Sequence, residues 1–76
     1  MNKDRRNRLS RLMDKLQEVI EELESIRDEE DECRGNMPEN LQDSEHYGLS
    51  EMASQNMEEA LDYLDSASES IGYAME

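Results

Sequence analysis

Apolar residues at Leu9, Leu12, Met13, Leu16, Val19, Ile20, Leu23 and Ile26 recur every three or four positions, with none between them off the row. Put Leu9 at heptad position a. Leu16 and Leu23 then share a, Leu12, Val19 and Ile26 take d, and Met13 and Ile20 take e. A strand would alternate with period two, so this segment is an amphipathic helix. Its a/d/e stripe is wider than the a/d seam of a two-stranded coiled coil and calls for more than one neighbour. The stripe fades where Glu30 takes a and Cys33 takes d, and Gly35 follows as a natural C-terminal cap. Helix 1 is predicted over about residues 3–34.

A second frame occupies the other half. Met57, Leu64 and Ile71 lie seven apart at a, Ala53, Ala60, Ala67 and Ala74 fill every d, and Leu61 and Met75 take e. Small residues at d let another helix approach near the short end of the 8–10 Å range. Ser44 and Ser50, each followed by Glu, are both N-cap candidates, and Gly48 between them costs about 1 kcal/mol inside a helix. Taking Ser44 gives a second helix over about 45–75, matched in length to the first. The fold class is then all-α: one helical-hairpin domain, 1–76, with its two helices antiparallel and a connecting loop at 35–44. Pro38 at a first helical position would seed a short turn in PENLQ.

Composition agrees. The 76 residues hold no Trp, Phe or Thr and one Val, too few for a β-core, while helix formers abound. A chain this short buries only about 60% of its extended surface. The two faces carry thirteen large apolar side chains that one hairpin half covers. We therefore expect a homodimer, forming a four-helix bundle or coiled-coil-like assembly, or a partner that completes the core. The expected packing residues are Leu9, Leu12, Leu16, Val19, Leu23, Ile26, Met57, Ala60, Leu61, Leu64, Ala67 and Ile71. Met13, Met57 and Met75 fall on the same faces, and Cys33 is expected to be buried at the last d position.

The unusual residues cluster between the helices, in DEEDECRGNMPENLQDSEHYG. As a calcium loop starting at Asp28, it would place Glu30, Glu32 and Glu39 at the third, fifth and twelfth positions. The glycine needed at the sixth is Cys33, so the match fails. Cys33 and His46 are two potential zinc ligands, and there is no second Cys or His to complete a set. A nucleophile–base pair would still need an orienting group and a pocket. No cofactor and no enzymatic activity are expected. There is no apolar run of transmembrane length, and the basic start leads into an amphipathic segment rather than a secretory leader, so a cytoplasmic location is expected.

Charge is the remaining signal. The net charge is −13, from 21 acids against 8 Lys and Arg. Such a surface repels nucleic acid and suits a basic partner. Six of the eight cations, Lys3, Arg5, Arg6, Arg8, Arg11 and Lys15, lie in the first fifteen residues. In a hairpin they would lie beside Asp62, Asp65, Glu69 and Glu76, and internal pairing is expected. Direct nucleic-acid binding through them is the rival, weakened by the lack of interleaved aromatic residues.

The segment also resembles small acidic helical-hairpin proteins of phages and prophages of Gram-positive bacteria. The similarity rests on Asp28 to Glu32, Asn36 to Gln42, Ser44 and Glu45, with the flanking helices alike in pattern only. Gly48, Gly72 and the serines at 66, 68 and 70 depart from that pattern. The resemblance implies a mobile-element origin and action in the host cytoplasm. Small acidic phage proteins often inhibit host defence nucleases, as anti-CRISPR proteins do, some by placing carboxylates where a nuclease expects phosphates. On this reading the chain binds a basic surface of a host nuclease or nucleic-acid-binding protein. The contacts would be Asp28, Glu29, Asp31, Glu32, Glu39, Asp43, Glu45 and Tyr47. The alternatives are a structural or accessory bundle protein without a basic partner, and nucleic-acid binding through the basic N-terminus.

Overall fold

The computed structural model describes residues 1–76. Two long helices form an antiparallel hairpin, a rod of 59 × 15 × 12 Å. Helix α1 spans Lys3–Gly35 and helix α2 spans Glu45–Ala74, so the boundaries read from the sequence hold to within a residue. Asn2 caps α1, its Oδ1 accepting from the Arg5 backbone N–H at 2.9 Å, and Asp4 suits the positive end of the dipole. Ser44 caps α2, its Oγ accepting from the Tyr47 N–H at 3.3 Å, which decides between the two serine candidates.

The bend departs from expectation in detail. Gly35 is the last residue of α1 rather than a left-handed cap, and no residue has positive φ. The chain leaves the helix through Asn36, whose N–H still donates to the Glu32 carbonyl at 3.1 Å. Pro38 stands just before the short 3-10 turn Glu39–Leu41, not within it, in extended conformation.

The seam between the helices follows the a and e rows. In α1 it is lined by Leu9, Met13, Leu16, Ile20 and Leu23, and in α2 by Met57, Leu61, Leu64, Ile71 and Met75. Only Ile20, Leu61 and Ser54 are buried, all at e. Four of the expected packing residues lie off this seam: Leu12, Val19 and Ile26 are about half exposed, and Ala67 is exposed. Cys33, expected to be buried, is exposed for the same reason, since d faces outward. The cause is in α2. Its large side chains occupy a and e while its d row is alanine, so turning both helices toward e sets large residues against large ones and buries more apolar surface.

Gly48 and Gly72 both lie inside α2, and a Cβ built at either meets no atom within 4 Å. Replacing either by Ala should stabilise the hairpin by about 0.5–1 kcal/mol. Thermal unfolding followed by far-UV circular dichroism should show a rise of several degrees for each.

Candidate acidic groove

The side of the hairpin opposite the exposed d rows is polar. It is formed by the b rows of the two helices, Glu24 and Asp31 from α1 and Glu51, Glu58 and Asp65 from α2. Two hollows run along it. One, of about 220 Å³, is lined by Glu24, Arg27, Glu58, Leu61, Asp62 and Asp65. The other, of about 200 Å³, is lined by Asp31, Arg34, Glu51, Ser54, Gln55 and Glu58. They share Glu58 and make one groove with six carboxylates and two guanidinium groups.

A clasp closes the groove at the bend end. Asp31 Oδ1 accepts from Ser54 Oγ at 2.6 Å and from Arg34 Nη2 at 2.8 Å. Arg34 Nη1 donates to Ser54 Oγ at 2.9 Å and to Ser50 Oγ at 3.1 Å. The Arg34–Asp31 pair lies within α1, and the three bonds to Ser50 and Ser54 are the only side-chain hydrogen bonds between the helices. The clasp is built where the apolar stripe of α1 has run out, and polar residues take over its a and e positions. Ser54 is buried, and Arg34 supplies the donors its hydroxyl and the Asp31 carboxylate require. The Ser54 hydroxyl, followed by the Arg34 guanidinium, holds the Asp31 carboxyl below the usual Asp range. Arg27 pairs with Asp28 at 3.0 Å. The two arginines thereby offset the run of acids at the negative end of α1, where carboxylates are otherwise unfavourable.

The residues singled out in the sequence are scattered by this geometry. Asp28 to Glu32 are consecutive on a helix, so they wrap around it rather than forming one patch. Glu30 turns toward the seam, Asp31 enters the clasp, and Asp28, Glu29 and Glu32 point to solvent in other directions. Glu39 and Asp43 are exposed in the connector, Glu45 opens α2, and Tyr47 is partly covered. Of the groove acids, Glu24, Glu51 and Glu58 carry no expectation from the sequence, and Asp62 and Asp65 enter it only as partners for the basic N-terminus. The usable signal is the bend-side part of the b rows, Glu24 and Asp31 in α1 and Glu51, Glu58 and Asp65 in α2.

The expected internal pairing of the basic N-terminus is not made. Arg8 reaches Asp4 at 4.0 Å within its own helix turn, and no cation of residues 3–15 lies within salt-bridge distance of α2. The register and the faces account for this: Asp62 and Asp65 lie beside Glu24 and Arg27, well along the rod from residues 3–15, and Arg8 and Lys15 flank the d row, away from the groove. No group of three or more His, Cys, Asp or Glu is placed to hold a metal ion, and no helix is long and apolar enough to cross a membrane.

Ser54→Ala should cost roughly 0.5–1.5 kcal/mol in chemical denaturation, because it leaves Asp31 and Arg34 without their buried partner. The clasp should also be pH-dependent. A carboxyl whose folded-state pKa is depressed adds stability that is fully present above its unfolded value, 3.8, and lost as pH falls through the lower folded value. The stability gap between the parent chain and Asp31→Asn should therefore be open at neutral pH and close in that acid range. Comparison of the chain with protein-family models, with curated proteins and with solved structures found no match, so function has to be argued from this geometry.

Proposed function

We propose that the chain is a small interaction protein that binds and blocks a basic, nucleic-acid-binding surface of a host protein. The reading extends to an inhibitor of a host defence nuclease, of the anti-CRISPR or DNA-mimic kind, acting in the host cytoplasm. The single observation that carries it is the concentration of negative charge at one end of a narrow rod. Residues 20–59, the half containing the bend, hold fourteen carboxylates against two arginines, a net charge of −12. Over half of the 59 Å length this is about one net charge per 2.5 Å, against one per about 1.7 Å of duplex DNA. A protein surface evolved to hold phosphates would meet a comparable field here.

The groove gives that field a shape. Along each helix the b-row carboxylates repeat every two turns, about 10 Å apart. No catalytic constellation is needed for such a role. Glu24, Glu58, Asp62 and Asp65 would act by position and charge, as Lys/Arg partners, with Asp28, Glu29 and Glu32 adding to the field from the bend.

The test is affinity capture from bacterial lysate at low and at moderate salt, with mass spectrometry of what is retained. Two charge-reversed chains serve as controls, Glu58→Lys/Asp62→Lys/Asp65→Lys in the groove and Asp28→Lys/Glu32→Lys at the bend. The expected outcome is a basic nucleic-acid-binding protein held by the parent chain at low salt, released as salt rises, and lost to the groove variant. Retention of the same proteins by the groove variant would show that its carboxylates are not the contact.

A further inference from the structure

The face opposite the acidic groove is apolar and uncovered. Leu12, Val19 and Ile26 stand along it from α1, about half exposed each, over roughly 21 Å of helix. Beside them, Leu12, Leu16, Val19, Ala67 and Ile71 line a hollow of about 330 Å³ with Lys15 at its rim. A second hollow, of about 470 Å³, continues past Leu12 to Met1, Leu9 and Arg8. The d row of α2 contributes only alanines, so the face is flat enough for another helix pair to lie against it.

We propose that this face is covered by a second copy of the chain, packed antiparallel, with Val19 of one copy against Val19 of its partner. The g row of α1, which flanks the exposed d row, reads Arg8, Lys15, Glu22, Glu29, two cations followed by two acids at even spacing. Its midpoint falls between Lys15 and Glu22, within half a residue of Val19, the midpoint of the d row. In an antiparallel twofold contact, g residues face g residues across the rim. Arg8 then meets the partner's Glu29, Lys15 meets the partner's Glu22, and Leu12 packs on the partner's Ile26, each pair occurring twice. Packing the copies with both bends at one end removes this match.

The division of charge along the rod gives the same orientation independently. The half formed by residues 1–19 and 60–76 holds six cations and seven carboxylates, net −1, whereas residues 20–59 carry −12. Copies aligned bend to bend would crowd two −12 halves together. The antiparallel arrangement sets each −12 half against a nearly neutral half that holds the basic patch. It also separates the two bends by most of the 59 Å length, far beyond the Debye length of about 10 Å at 0.1 M salt. The N-terminal cations that α2 leaves unpaired gain carboxylate neighbours, and both acidic grooves stay on the outside. The dimer is independent of what the grooves bind.

Analytical ultracentrifugation of the full chain at low salt should give twice the 8.9 kDa chain mass. Lys15→Glu should weaken the dimer about tenfold, because two attractive rim pairs become repulsive, and adding Glu22→Lys should restore it. Orientation is read by disulfide cross-linking in a Cys33→Ser background. Val19→Cys should cross-link to itself, and Leu12→Cys should cross-link to Ile26→Cys but not to itself. A monomer at all concentrations, an unchanged association in Lys15→Glu, or self-cross-linking of Leu12→Cys would each overturn the proposal. The charge variants lie on the exposed surface and keep the seam intact, which far-UV circular dichroism checks.

Discussion

Everything in this hairpin follows from which rows the two helices turn toward each other. Packing along a and e buries Ile20 and Leu61 at the centre and carries Ser54 inside with them. The b rows then lie together on one side and the d rows together on the other. In antiparallel helices equivalent rows meet on the same side, so a small rotation of the seam produces two long faces of opposite character. One is a channel of carboxylates, the other a strip of Leu, Val, Ile and Ala. Had the seam run along a and d, the apolar strip would have been consumed and the b rows would have been pushed apart.

The hairpin is thinly held. Three of 76 residues are buried, none of them completely, and one is a serine. Near the termini the seam is apolar, and near the bend it is polar, ending in the Asp31, Arg34, Ser50 and Ser54 clasp. The clasp fixes the register of the helices where hydrophobic side chains are too few to do so, because a bifurcated guanidinium and a short hydroxyl–carboxylate bond tolerate little sliding. The same end carries most of the negative charge, whose self-repulsion opposes compaction. Arg27 and Arg34 are the only cations there, and each is engaged with a carboxylate.

The apolar and acidic faces pose complementary demands. An acidic surface gains by meeting cations, and an exposed apolar strip gains by being covered. Because the two lie on opposite sides, one rod can satisfy both at once without either contact obstructing the other. That separation underlies the pairing of a self-association face with an outward-facing binding groove.

The sequence by itself determined the two helices, their lengths and their antiparallel pairing, and narrowed the start of α2 to Ser44 or Ser50; the cap bond from Tyr47 chose Ser44. Heptad periodicity and cap chemistry are local, and a chain with no β-core residues has few other options. It also held the charge antisymmetry of Arg8, Lys15, Glu22 and Glu29, which becomes meaningful only once the d row is known to be outside. The tertiary structure alone decided the seam. A stripe at a, d and e can be turned toward either flank, and the choice depends on how Leu61 and Met75 at e, against alanines at d, fill space opposite Ile20 and Met13. That choice moved Leu12, Val19, Ile26 and Cys33 outside, took Asp31 into a clasp, and gathered Glu24, Glu58 and Asp65 from distant parts of the chain. The run Asp28 to Glu32 looked like a site because its acids are adjacent in sequence. On a helix adjacency disperses side chains around the axis, and acids seven residues apart are the ones that converge.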